Sequence, residues 1–202
     1  MVAIIDYGVG NLFSLACSFK AIGAATEITR DPARIASAER VVLPGVGAFG
    51  DAMEKLTATG LIPVLRREAE RKPFLGICLG MQLLFDESEE YGKHAGLGLI
   101  PGRVCDLRAD LSDKSLKVPH MGWNSLEIKD DPFFRYVENG EYAYYVHSFY
   151  AKDCAEYTLG VSQYGNVSVT GVARRGHVYG TQFHPEKSGD TGLRLLRAFM
   201  EL

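Results

Sequence analysis

The sequence predicts an α/β fold: a single domain with a mostly parallel central sheet, helices on both faces and antiparallel additions in the C-terminal half. Three observations predict it. Up to about Phe85, short apolar runs alternate with helix-like patterns, the order that builds a parallel sheet covered on both sides. The run Phe74-Leu75-Gly76-Ile77 has no polar side chain, as a strand buried on both faces requires. From about Leu97 the pattern changes to short stretches with alternation and turn signals. The 202 residues suffice for one large domain, and no linker, repeat or compositional step divides them, so residues 1–202 are expected to form one unit.

In chain order, VAIID (2–6) reads as a first strand and NLFSLACSFKAIG (11–23) as a helix ended by its glycine. TEITR (26–30) and VVLP (41–44) are the second and third strands. A helical stretch runs from about Ala48 to Arg71 with interruptions near Gly60 and Pro63, and FLGI (74–77) is the fourth strand. GRVCDL, SLEI, YAYYVHSFYA, YTLGVSQY, SVTGVARRG and HVYGTQF follow as strands expected to extend the same sheet in antiparallel fashion. TGLRLLRAFMEL closes the chain as a helix.

Composition removes several classes. A net charge of -3 without any basic run argues against nucleic-acid binding. No apolar segment approaches the length of a membrane span, and the N-terminus reads as a strand rather than an export signal. The four cysteines show neither CxxC spacing nor histidines at metal-ligand intervals, so neither a metal site nor another cofactor is expected. Reduced thiols and a cytoplasmic location follow as expectations. Cys17 fits the apolar side of a helix and reads as core filler.

Cys78 has unusual neighbours. It stands in Gly76-Ile77-Cys78-Leu79-Gly80, between an apolar strand and a helix-like MQLLF. A strand-to-helix turn of the form G-x-nucleophile-x-G is the elbow of hydrolases, with the nucleophile held at the carboxyl edge of the sheet. A helix starting at Leu79 directs its positive end at the sulfur and favours the thiolate, and the Leu79 N–H is placed to receive an oxyanion. A buried structural cysteine at a tight turn is the competing reading.

A thiolate used for acyl transfer needs a base. Of the five histidines, His94 lies in a glycine-rich loop, His177 starts a strand, and His120 and His147 have aromatic surroundings. His184 stands out in GTQFHPEKSG, where Glu186 follows two residues later across Pro185. In an extended segment, residues two apart point to the same side, so Glu186 can hold the His184 imidazole in one tautomer. A strand-ending turn with a surface ion pair is the alternative for these three residues.

GVGAFG (45–50) literally matches GxGxxG. It follows the third strand instead of the first, and the next strand ends at Cys78 without the acidic residue that a dinucleotide ribose needs. It is better read as a loop beside the cysteine, with Val46 or Gly47 as a second oxyanion donor.

PGVGAFG, GICLGMQLLF and GTQFHPEKS, in this order and spacing, resemble the class I, triad-type glutamine amidotransferases over essentially the whole chain. DYGVGNL, PHMGWN (119–124) and YYVHSFY (144–150) narrow the resemblance to the glutaminase subunits of imidazole glycerol phosphate synthase, of histidine biosynthesis. The resemblance implies that Cys78 attacks the side-chain amide of glutamine, His184 moves protons, and Glu186 orients His184. It also implies an oxyanion hole from Leu79 and the Val46–Gly47 segment. Glutamine contacts would come from Gln82, Glu90 and the backbone of His147, Ser148 and Phe149. The implied partner is a cyclase subunit, in a heterodimer, with Asn11, His120, Met121, Trp123 and Lys187 as candidate interface residues. From the residues alone, Gln82 remains open as a helix surface residue, Glu90 as a solvated charge in DESEE, and Trp123 as a core residue. Rival readings are an amidotransferase subunit of another pathway, a cysteine peptidase or γ-glutamyl hydrolase, and a non-enzymatic binding subunit.

Overall fold

A computed structural model describes residues 1–202. The N-terminal half contains β1 (Val2–Ile5), α1 (Leu12–Ala21), β2 (Thr26–Thr29), α2 (Pro32–Ser37) and β3 (Arg40–Gly45). It continues with α3 (Phe49–Ala58), α4 (Ile62–Ala69), β4 (Phe74–Cys78) and α5 (Leu79–Gln82). Beyond these come β5 (Glu87–Ser88), β6 (His94–Ala95), β7 (Arg103–Asp106), α6 (Leu107–Asp110), β8 (His120–Ser125) and β9 (Glu127–Ile128). The chain ends with β10 (Tyr142–His147), β11 (Phe149–Lys152), β12 (Thr158–Tyr164), β13 (Val167–Arg175), β14 (Val178–Thr181) and α7 (Gly189–Phe199). No helix is long and apolar enough to cross a membrane.

The main sheet has eight strands in the order β2-β1-β3-β4-β14-β13-β12-β9. From β2 to β14 neighbours run parallel, and β13, β12 and β9 are added antiparallel. Strand alternation sorts the core onto two faces. Val2, Ile4, Val42, Leu75 and Ile77 pack with Leu15 and Phe19 of α1 and Leu195, Leu196 and Phe199 of α7. Ile5, Val41, Leu43 and Phe74 pack on the opposite face with Phe49 and Leu56 of α3 and Leu65 of α4. Helix starts follow local chemistry: Asn11 caps α1 by accepting from the Ser14 N–H, and Asp31 caps α2 ahead of Pro32.

The structure corrects four expectations. HVYGTQF is not an antiparallel addition, because β14 pairs parallel with β4, with Thr181 opposite Ile77. The other late strands do not all join one sheet either. β8 and β10 form a separate two-stranded ribbon, and β11-β7-β5-β6 a four-stranded sheet. The helix after Cys78 is a single turn, and α2 had no period long enough to reveal it in the sequence. Cys17 is exposed rather than packed in the core.

Candidate active site

β4 is flanked by β3 and β14, so the carboxyl ends of three parallel strands meet at one edge. Gly45 of β3 lies opposite Cys78, which puts the Val46–Gly47 loop on one side of the sulfur. Thr181 opposite Ile77 puts the chain leading to His184 on the other. The turn itself is tight. Cys78 has φ 55 and ψ -112, a left-handed conformation that costs a side-chain-bearing residue about 1–3 kcal/mol. The positive φ falls on the cysteine and not on its glycines. Those are required by close approach: a Cβ on Gly80 would lie 1.9 Å from the Leu43 carbonyl oxygen, and one on Gly76 2.6 Å from that of Gly80.

The elbow opens into a cavity of about 310 Å³ lined by Val46, Gly47, Cys78, Leu79, Gln82, Glu90, His147, Ser148, Phe149 and His184, with Val146 and Pro119. Every cysteine, oxyanion and glutamine-contact candidate named from the sequence therefore borders one space. A wider cleft of about 580 Å³ lies between β11, β12 and β13. Its polar groups are mutually satisfied: Lys152 and Tyr150 both donate to Asp110, and Lys129 donates to the Thr158 carbonyl.

His184 ends an extended segment, and Pro185 starts a single 3-10 turn, Pro185–Lys187. This turn, not a continued strand as the sequence suggested, brings Glu186 back so that His184 Nδ1 donates to its Oε1 at 2.8 Å. The Lys187 N–H and the Ser188 hydroxyl both donate to the His184 carbonyl and fix the turn. His184 Nε2 is buried and has no well-formed partner. Burial by itself would push the imidazole down, but its interactions with the Cys78 sulfur and the Glu186 carboxylate outweigh this and raise it to about 10. The Cys78 thiol points toward the Val146 carbonyl at 3.8 Å, and the Gln182 carboxamide approaches the sulfur at 3.9 Å.

Gln82 is only 4% exposed, which excludes a helix surface residue. Its Nε2 donates to the Phe149 carbonyl at 2.9 Å and to Gln182 Oε1 at 3.0 Å. Glu90 is buried rather than solvated, and its carboxylate accepts from the Phe49 N–H at the start of α3. Burial raises its pKa against the lowering effect of that hydrogen bond. His147 donates from Nδ1 to the Phe149 carbonyl, which can only accept, so its Nε2 accepts a hydrogen bond from His120 Nδ1 at 3.0 Å. Asn124 completes the line by donating to His120 Nε2. Burial pushes His147 down to about 3, reinforced by the charges of His120 and His184, and pushes His120 down to about 4.

Of the candidate interface residues, Met121 and Trp123 are 65% and 56% exposed on β8, so Trp123 is not a core residue. Lys187 is exposed, with its Nζ 6.0 Å from the centre of the Tyr144 ring. Asn11 is half-buried and engaged as the α1 cap. His120 is the correction: it is 4% exposed, stacked between Tyr145 and Tyr164, and its side chain is closed to a docking surface. Strand alternation gives the reason, since His120 and Met121 point to opposite faces of the ribbon. Sequence reasoning missed Gln182 and the Val146 carbonyl. Parallel pairing of HVYGTQF with FLGI would have put Gln182 opposite Cys78.

A strained elbow cysteine, an imidazole–carboxylate pair and backbone N–H groups around one buried space are the equipment for acyl transfer from an amide. The family model for class-I glutamine amidotransferase matches residues 3–202. The imidazole glycerol phosphate synthase subunit HisH of Syntrophotalea carbinolica is 48% identical over 207 residues, covering 100% of both chains. That of Sulfurimonas denitrificans is 46% identical over 201 residues, covering 98% of this chain and 97% of its own. Among solved structures, a crystal structure of a glutamine amidotransferase superposes with a TM-score of 0.76 at 18% identity, covering 100% of this chain and 98% of that one. PurLQS from Thermotoga maritima gives 0.73 at 19% identity, covering 99% and 97%. At such identities these two speak for the fold. The chain belongs to the class-I glutamine amidotransferase family and, within it, to the group of imidazole glycerol phosphate synthase HisH subunits.

Proposed function

We infer that this glutamine amidotransferase is the glutaminase subunit of an imidazole glycerol phosphate synthase, working in histidine biosynthesis. It hydrolyses glutamine to glutamate and ammonia through a thioester on Cys78. The ammonia passes to a cyclase subunit that makes imidazole glycerol phosphate and aminoimidazole carboxamide ribotide. One observation carries the reading: a left-handed Cys78 opens into the same cavity as His184, whose Nδ1 is held by Glu186.

The Cys78 thiolate adds to the side-chain amide carbon of glutamine, and the carbonyl electrons move to oxygen. The N–H groups of Leu79 and of the Val46–Gly47 segment receive that charge, each worth ~10²–10³ in rate. The oxyanion collapses, the C–N bond breaks, and the His184 imidazolium gives its proton to the departing nitrogen. The neutral imidazole then takes a proton from water, which attacks the thioester and releases glutamate and the thiolate. Glu186 keeps the His184 tautomer fixed throughout. Gln82, Glu90 and the backbone of His147, Ser148 and Phe149 hold the glutamine. No cofactor enters these steps.

Ammonia set free in neutral water becomes mostly ammonium, which is no nucleophile, so the acceptor enzyme docks over the cavity. Met121 and Trp123 supply an exposed apolar and aromatic patch suited to such an interface, Lys187 reaches the Tyr144 ring that packs edge-on against Trp123, and Asn11 is proposed as a further contact. The proposed place of action is the cytoplasm, where free thiols persist. In the assembled synthase, Cys78→Ala is expected to abolish glutamine-dependent synthesis while synthesis from ammonium salts continues. Undiminished glutamine use by that variant would remove Cys78 as the nucleophile.

A further inference from the structure

Beside the reactive sulfur lies a side chain that the steps above do not use. Gln182 directly follows β14, and the parallel register carries it alongside Cys78 at the end of β4. It is 0% exposed, and its backbone N–H donates to the Gly171 carbonyl, so the residue is anchored to β13. The two ends of its carboxamide are not interchangeable. The Phe149 carbonyl can only accept, so Gln82 must turn its NH2 toward that oxygen. The same NH2 donates to Gln182 at 3.0 Å, which fixes that atom as the Gln182 oxygen. The remaining end, the Gln182 NH2, is thereby forced toward Cys78 Sγ at 3.9 Å.

The sulfur thus has two fixed neighbours of opposite character. The Val146 carbonyl at 3.8 Å accepts from a thiol and repels a thiolate. The Gln182 NH2 offers nothing to the proton of a thiol and stabilises a thiolate. We propose that Gln182 is a positioning donor that holds the Cys78 sulfur as a thiolate over the cavity, its polarity set by the chain from the Phe149 carbonyl through Gln82. The proton lost from sulfur goes to the His184 side, and the carboxamide gives up none, so the step balances without a further reactant. The chain also joins the backbone beside the glutamine pocket to the nucleophile, so that the wall of the pocket and the orientation of the sulfur are set by the same atoms.

The inference rests on Cys78 being the nucleophile, and the test separates the two. Cys78 alkylation by iodoacetamide, a neutral reagent that requires no glutamine turnover, is followed against pH by peptide mass spectrometry of the full chain, which resolves it from exposed Cys17. In Gln182→Met, which keeps length and removes the donor, the midpoint of alkylation is expected to rise by about one pH unit and the rate at pH 7 to fall about tenfold, the effect of one hydrogen bond to a charged group. The synthase carrying it loses kcat with KM for glutamine little changed. Gln182→Glu, which keeps the bond to Gln82 but turns a carboxylate on the sulfur, moves the midpoint further in the same direction. If Gln182→Met does not fold, the Gln182→Glu profile decides alone. An alkylation profile like that of the unmodified protein in these variants overturns the proposal. The nucleophile assignment fails separately, by glutamine use in Cys78→Ala.

Discussion

The end of β4 and the end of β14 are neighbours in one sheet, yet Cys78 and His184, the two groups proposed to react, are held by different means. Cys78 is fixed sterically: its backbone is strained, and the Leu43 carbonyl occupies the place where a Cβ on Gly80 would stand. His184 is fixed by polar contacts, namely a carboxylate on Nδ1 and two donors on its own carbonyl. Packed contacts resist distortion but do not respond to protons. Hydrogen-bonded groups respond to both. The backbone on the Cys78 side is therefore a rigid frame, whereas the imidazole, like the polar neighbours of the sulfur, is what pH and single polar substitutions tune.

The largest effect that separates the two sides is expected from Gly80→Ala. In an ordinary helix this exchange gains up to about 1 kcal/mol. Here the new Cβ would meet backbone at 1.9 Å, and backbone of a central strand does not yield. A loss of about 3 kcal/mol or more in denaturant unfolding is expected, or failure to accumulate folded protein. Stability at the level of the unmodified protein would mean that the elbow is not sterically locked.

On the polar side, Glu186→Gln leaves the frame intact and changes only the group on His184 Nδ1. The imidazole loses its counter-charge, and the amide can present either a donor or an acceptor to it. Glutamine turnover is expected to fall about 10²–10⁴-fold, the usual range for acid–base groups, and by less than in Cys78→Ala. The reverse order of the two variants would break the assignment of an orienting role to Glu186.

The same division decides what was legible in the sequence. The GxCxG elbow, the apolar β4 and the N-terminal alternation are local patterns, and β1, β3 and β4 lie within a residue or two of where those patterns put them. Gln82, Glu90, His147 and His184 border one cavity with Cys78; the pairing of His184 with the cysteine was legible in HPE beside the elbow, the convergence of the other three only through the family resemblance. What stayed hidden depends on long-range pairing: the parallel register of β14, the separation of the β8–β10 ribbon, the position of Gln182, and the burial of His120. Periodicity shows which side of a strand is apolar. It does not show which strand lies next to it, and a buried histidine between two tyrosines has the same local pattern as an exposed one.

Acid should act unequally on the β8–β10 ribbon and on the parallel strands that frame Cys78. His120 and His147 are held neutral in the fold, at about 4 and about 3, against an ordinary value near 6.5. Above that value both the folded and the unfolded chain are neutral there, and the contribution is fully present. As pH falls from about 6.5 toward 4, the unfolded chain takes up protons that the fold refuses, and stability is lost. His184 runs the other way: raised to about 10, its contribution is complete below 6.5 and fades as pH rises toward 10. Hydrogen-exchange opening free energies, corrected for intrinsic rates, should fall for β8 and β10 between pH 7 and pH 5 while those of β1 and β4 change less. An equal drop in both regions would show that the histidine line is not a local acid-sensitive element.

The smallest expected effect isolates the strain in the frame. A residue at φ 55, ψ -112 is in a region glycine occupies freely and alanine does not. Cys78→Ala and Cys78→Gly both remove the sulfur, with its contacts to Val146 and Gln182, so those losses cancel between them. In a strand or helix interior, glycine is the less stable of the pair by about 0.5–1 kcal/mol. At this position the order should reverse, with Cys78→Gly the more stable by about 1 kcal/mol in denaturant unfolding, because only alanine retains the penalty for its Cβ. If alanine is the more stable, the elbow carries no strain, and the rigidity of the Cys78 side must then come from the close packing of Gly76 and Gly80 alone.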